Sequence, residues 1–195
     1  MISCILLAAG LSTRFGSSKA LAKLNDKNVL EHLQQVLLAT SINEIIVVLG
    51  AYADQIKPFL LNHRKVKFVY NKDFNLGQTS SFQAGLQNIS SQTQGIMLLP
   101  VDYPAIKKQT LDQLIDVFLK QNPMILIPTF NHRKGHPPIF SSKLKDDFLR
   151  LDHSVGVNTV AQIHQKETLF FSVADQGVVQ TFNNAEEFEQ LKKTI

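Results

Sequence analysis

The sequence predicts an α/β protein, a three-layer α/β/α sandwich around a mostly parallel sheet. Three observations carry this. Short apolar runs with the composition of buried strands recur along the first two-thirds of the chain. Stretches of about ten residues with apolar positions at helical spacing fall between them. Glycine, proline or small polar residues punctuate the boundaries. Strands that alternate with helices pair in parallel through right-handed crossovers, so helices cover both faces and ligands gather at the carboxyl ends of the strands.

The elements follow in order. Residues 2–7 read as the first buried strand, and 29–39 (VLEHLQQVLLA) as the first helix. A second strand, 44–49 (EIIVVL), is closed by Gly50. The alternation continues with a helix at 52–61, a strand at 66–70, a helix at 79–89, a strand at 95–99, a helix at 111–120 and a strand at 124–128. The last third is less regular. A short strand is expected at 137–140, helices at 143–151 and 156–165, strands at 168–173 and 178–182, and a closing amphipathic helix at 184–192.

Composition narrows the class. A chain of 195 residues suits one domain over 1–195 with a full core. Apolar residues make up 44% and no apolar run reaches the length of a membrane span, so a soluble protein without a membrane partner is expected. The first strand starts at once, which leaves no room for a signal peptide, and the single cysteine, Cys4, forbids an intrachain disulfide; both suit the cytoplasm. The net charge of +4 is scattered, which could attract a polyanionic small molecule but argues against a nucleic-acid partner. The basic stretch at 62–67 reads as a solvated turn.

The chain is organised around residues 4–19, CILLAAGLSTRFGSSK. An apolar strand breaks here into small residues, hydroxyls and two cations. Ala8, Ala9 and Gly10 leave the backbone N–H groups open to close approach, and Arg14 and Lys19 bring positive charge, which is the chemistry of a polyphosphate loop. Five residues separate Gly10 from Gly16 and Lys19 comes three later, which excludes a Walker A loop; the dinucleotide fingerprint is also absent. The second informative stretch is 96–104, IMLLPVDYP, where a strand delivers one carboxylate, Asp102, between two prolines that keep the backbone extended. Magnesium takes few protein ligands when it bridges phosphates, so one or two such oxygens would suffice. The histidines other than His136 (His32, His63, His132, His153 and His164) and the lone cysteine show no zinc-ligand spacing.

These stretches resemble the L-A-A-G-x-S-x-R-F-G-x-x-K and L-P-x-D-x-P signatures of the nucleotidyltransferase superfamily, in particular its molybdenum-cofactor cytidylyltransferase (molybdopterin nucleotidyltransferase) branch. The resemblance implies a Rossmann-like sheet of the nucleotidyltransferase type. It also implies transfer of CMP from CTP to a phosphorylated pterin with release of pyrophosphate, with Mg²⁺ or Mn²⁺ as cofactor and a molybdoenzyme as a further partner. Ala8-Ala9 implies cytidine rather than the guanine of GTP, since guanylyltransferases carry glycine there. Arg14, Lys19 and Asp102 match the catalytic positions, and Leu7, Ala8, Ala9, Gly10, Ser12, Arg14 and Lys19 the nucleotide-binding loop. Asn71, Gly77, Ser80 and Ser81 match the segment that holds base and ribose, His136 in Gly135-His136-Pro137 matches the acceptor side, and Asp102 matches the magnesium-binding aspartate.

One departure stands out. The family's last segment resembles D-x-D-T-P-E-D, and its two aspartates correspond here to Thr181 and Asn183. Asn183 therefore takes the second metal position with an amide oxygen that adds no negative charge. Two other readings stay open on the sequence: a sugar- or polyol-phosphate nucleotidyltransferase, and a catalytically weakened nucleotide- or cofactor-binding maturation factor for a molybdoenzyme.

Overall fold

The computed structural model describes all 195 residues. Its strands are β1 (Ile2–Ala8), β2 (Lys23–Leu24), β3 (Lys27–Asn28), β4 (Glu44–Leu49), β5 (Val66–Tyr70), β6 (Gly95–Pro100), β7 (Ile125–Phe130), β8 (Arg133–Lys134), β9 (Ile139–Ser141) and β10 (Thr168–Ser172). Its helices are α1 (Val29–Leu38), α2 (Ala53–Ile56), α3 (Gln78–Leu86), α4 (Lys108–Gln121), α5 (Lys145–Leu149), α6 (Asn158–Ile163) and α7 (Ala185–Lys192). The central sheet runs β10-β7-β9-β6-β1-β4-β5, with β8 paired to β7. Pairing is parallel except at β9, which runs against both its neighbours, and at the β7–β8 hairpin. No helix is long and apolar enough to cross a membrane.

The pleat sorts β1 between two cores, because alternate side chains point to opposite faces. Ile2, Cys4, Leu6 and Ala8 join α1, α2, α4 and Phe188 of α7 on one side. Ile5 and Leu7 join α3, α5 and α6 on the other, around a cluster of Phe82, Phe140 and Phe148 with ring centroids 4.8–6.1 Å apart. This is the three-layer α/β/α arrangement, and β1 is buried from end to end because it lies at its centre.

Helix α1 starts where the sequence provides a capping box. The Asn28 side chain accepts from Glu31 N–H at 2.9 Å, and the Glu31 carboxylate accepts from Asn28 N–H at 3.0 Å.

Two expected elements take another form. The helix expected at 52–61 is one α-turn, α2, followed by a 3-10 turn at Lys57–Phe59, since Pro58 lacks the N–H that would continue it. The strand expected at 178–182 does not form. Gln176–Val179 is a 3-10 turn in which Gly177 packs directly on the Ala105 carbonyl, and Val178 O accepts from His136 N–H at 2.7 Å instead of joining a ladder.

The basic stretch is also more than a solvated turn. Lys67 Nζ lies 3.1 Å from Glu44 Oε2, and Glu44 is buried at the amino end of β4, accepting from Ser3 Oγ at 2.6 Å and Ser90 N–H at 2.7 Å. Burial alone would raise this carboxyl, but these donors and the Lys67 charge hold it below its ordinary value of 4.5. Because the folded value is lowered, the stability Glu44 contributes is complete above pH 4.5 and is lost as the pH falls through the lowered value. Urea midpoints of wild type should drop in that acid range, and those of Glu44→Gln should drop less.

Candidate active site

The cavity lies where the carboxyl ends of β1 and β6 meet. In the sheet register Leu7 stands beside Pro100, so the chain leaving β1 and the turn leaving β6 emerge side by side. The opening loop folds back on itself: Phe15 and Gly16 N–H both donate to Ser12 O, at 2.9 and 3.1 Å, and Ser12 and Gly16 take left-handed backbone angles, φ 49° and 79°. Phe15 fastens the loop by stacking edgewise on Phe182 and Phe188, with centroids 5.4 and 5.8 Å away. Lys19 is thereby brought over the end of β6, where its Nζ lies 3.0 Å from Asp102 Oδ2.

The same ammonium is 3.3 Å from Asn183 Oδ1, and Arg14 Nη2 donates to that oxygen at 3.2 Å. Residues separated by more than 160 positions in the chain thus converge on one point. Glu187 sets which way the Asn183 amide faces: its Oε2 accepts from Asn183 N–H at 2.7 Å and stands 3.4 Å from Asn183 Nδ2, leaving Oδ1 toward the two cations. The cavity has a volume of about 420 Å³ and is lined by Leu7, Ala8, Ala9, Gly10, Ser12, Arg14 and Lys19 of the opening segment and by Pro100, Asp102 and Asn183. The metal-ligand candidates in its lining, the Asp102 carboxylate and the Asn183 amide oxygen, are hard oxygens. They are too few to enclose an ion, but they fit a cation that draws its remaining ligands from phosphate and water.

Gly10 is informative for what does not surround it. A Cβ built there meets nothing within 4 Å, so the protein's own packing makes no demand for glycine; the bare backbone faces the cavity. Gly77, at φ 102°, also lines the cavity, together with Ser81. Asn71 and Ser80 stand behind that wall. Asn71 Nδ2 donates to Ser80 Oγ and Ser81 Oγ at 3.1 Å each, and Ser80 Oγ lies 2.9 Å from Gly77 O, so these side chains brace the turn that enters α3.

His136 is set apart from the cavity and packs against Tyr103, with centroids 4.4 Å apart. Burial lowers its imidazole below 6.5, against the pull of the Asp102 charge, so it is neutral at pH 7 and cannot act as a phosphate-binding cation. Its Nδ1 is buried without a partner, as is Thr181 Oγ1.

Three residues support the site in a way the sequence reading did not assign them: Gly50, Tyr52 and Glu187. Ala51 N–H donates to Ala9 O at 3.2 Å and the Tyr52 hydroxyl donates to Leu11 O at 3.1 Å, so the turn after β4 props the opening loop. A Cβ on Gly50 would stand 2.5 Å from Ala9 O and 2.7 Å from Phe74 Cβ. Backbone cannot yield as a side chain can, so Gly50→Ala should destabilise the fold by about 1–3 kcal/mol and displace the loop; thermal melts and nucleotide titration check both effects. The only sequence signal for this contact was a glycine directly after a strand.

Residues 4–169 match the family model described as the MobA-like NTP transferase domain. The chain belongs to the MobA-like NTP transferase family. It is 27% identical over 141 residues to the molybdenum cofactor cytidylyltransferase of Escherichia coli (strain K12), covering 72% of this chain and 70% of the relative. It is 26% identical over 149 residues to the probable molybdenum cofactor guanylyltransferase of Thermococcus sibiricus, covering 75% and 70%. Among solved structures, Rv0371c of Mycobacterium tuberculosis H37Rv superposes over the full length of both chains with a TM-score of 0.86 at 24% identity, and a second structure of it is a complex with manganese. This MobA-like chain is therefore a nucleotidyltransferase in family and in fold.

Proposed function

We propose that this MobA-like chain transfers CMP from CTP to a phosphorylated pterin of the molybdenum-cofactor type, releasing pyrophosphate. The observation that carries the reading is the exposed backbone at Gly10 facing the Lys19–Asp102 pair across one cavity. That arrangement offers N–H donors and cations to a triphosphate, with a carboxylate beside the Lys19 ammonium. An acceptor phosphate oxygen attacks the α-phosphorus in line, a P–O bond forms, and the bond to the β-phosphate breaks as pyrophosphate leaves. No covalent enzyme intermediate is needed.

The chain's own groups orient the triphosphate and balance its charge. Arg14 and Lys19 draw the β- and γ-phosphates, and the loop N–H groups around Gly10 hold them against the end of β1. Ser81 and Gly77, braced by Asn71 and Ser80, form the wall beside the nucleoside. Asp102 and the Asn183 oxygen would hold a divalent cation, Mg²⁺ or Mn²⁺, which neutralises phosphate charge when bound. His136, neutral and packed at a tilt against Tyr103, serves the acceptor side as a packing and hydrogen-bonding group. The small Ala8-Ala9 pair and the cytidylyltransferase relative support CTP over GTP, and the cofactor named for both relatives supports the pterin acceptor.

The test is pyrophosphate release with CTP or GTP against a panel of phosphorylated acceptors. Turnover with CTP and a molybdopterin acceptor alone supports the reading. Turnover with a sugar or polyol phosphate selects that alternative. Nucleotide binding without turnover selects the maturation-factor reading that Asn183 favours. A sharper test uses Gly10→Val, whose Cβ meets nothing within 4 Å in the protein. Its melting should stay within about 0.5 kcal/mol of wild type, while nucleotide affinity measured by calorimetry should be lost.

A further inference from the structure

Lys19 holds the two oxygens that the reading above assigns to a divalent ion. Its Nζ is within 3.3 Å of both Asp102 Oδ2 and Asn183 Oδ1, and its position is reinforced by the Phe182 ring, whose centroid is 5.3 Å away. The pair is partly shielded, with the Lys19 and Asp102 side chains 14% and 22% exposed, so water screens it less than a surface ion pair. Arg14 adds a second cation on the same Asn183 oxygen. With an amide at 183, one carboxylate faces two cations; an aspartate there would have balanced them.

We propose that Lys19 and the neutral Asn183 together keep the divalent ion out of the nucleotide-free site, so that the ion enters only with the triphosphate. The inference rests on the nucleotidyltransferase reading above. A lone dication arriving at Asp102 meets an ammonium at hydrogen-bonding range and a second cation, Arg14, on the neighbouring Asn183 oxygen. A triphosphate reverses both terms, because its oxygens give the Lys19 ammonium a new partner and supply the ligands the protein lacks. Coupling between two ligands is reciprocal, so the ion raises nucleotide affinity by the factor by which nucleotide raises the ion's. Glu187 keeps the arrangement in place: an aspartate at 183 would set a second carboxylate oxygen where the amide nitrogen now stands, 3.4 Å from Glu187 Oε2.

The test titrates Mn²⁺ alone into nucleotide-free protein and follows the free-ion signal by electron paramagnetic resonance. Wild type and Lys19→Arg should bind Mn²⁺ weakly, whereas Lys19→Met should bind it roughly tenfold tighter or more. Lys19→Gln, which keeps a donor for Asp102, gives the same comparison should the methionine variant fail to fold. A folded Lys19→Met or Lys19→Gln with wild-type Mn²⁺ affinity overturns the proposal. A parallel titration of wild type with a non-hydrolysable CTP analogue and Mn²⁺ separates the two layers. Tight ternary binding with no change in the Lys19 variants overturns this inference alone; absence of nucleotide binding overturns it together with the reading beneath it.

Discussion

Asp102→Asn is expected to lower pyrophosphate release on the order of a thousandfold while leaving metal-free nucleotide affinity unchanged or stronger. The substitution keeps the shape of the side chain and removes its charge. Lys19 then loses its ion pair at 3.0 Å and is freer to meet phosphate, so binding of the bare triphosphate should not suffer. Turnover should suffer, because the carboxylate beside Lys19 that would hold a divalent cation together with Asn183 is gone. Steady-state kinetics with calorimetry in chelator separate the two effects. A parallel loss in kcat and in metal-free affinity would show that Asp102 serves only to shape the cavity.

The second large effect is on stability. Phe182 is fully buried and holds three things at once: Phe15 of the opening loop, Phe188 of α7 at 4.6 Å, and the Lys19 ammonium over its ring. Truncating a buried phenylalanine costs about 3–5 kcal/mol, so Phe182→Ala should melt roughly 10 °C below wild type for a chain of this size. The loss should reach the site as well, since Asn183 is the next residue and Phe15 lies midway between Arg14 and Gly16 in the loop. Differential scanning calorimetry reads the first effect and nucleotide titration the second. A variant that melts with wild type would place the packing of the loop elsewhere.

The parts of the fold legible in the sequence are those with local causes. β1, β4 and β6 were readable because strands buried on both faces are continuous apolar runs, and α1 and α4 because their apolar stripes are regular. The opening loop and Asp102 stood out because small residues, cations and an isolated carboxylate break those runs abruptly. What was not legible depends on neighbours distant in sequence. The short strand expected at 137–140 forms as β9, but nothing in its residues announces that it inserts antiparallel between β6 and β7. Val178 to Phe182 has strand-like composition, yet Gly177 packs on Ala105 and the Val178 carbonyl turns to His136, so the segment joins no ladder and buries Val178 and Phe182 in the core instead. Lys67 looked solvated until Glu44, more than twenty positions away, was seen beside it. At the site, Asn71 and Ser80 carry the right chemistry but spend it on each other and on the Gly77 carbonyl.

The central claim is that one triphosphate spans the gap between the Gly10 backbone and Asp102. The most direct measurement is a crystal structure with a non-hydrolysable CTP analogue and Mn²⁺. The account predicts phosphate oxygens on the loop N–H groups, Lys19 Nζ drawn off Asp102 onto phosphate, and the ion against Asp102 Oδ2 and Asn183 Oδ1. A nucleotide seated elsewhere, or one bound here with the Lys19–Asp102 pair still closed at 3.0 Å, would contradict it.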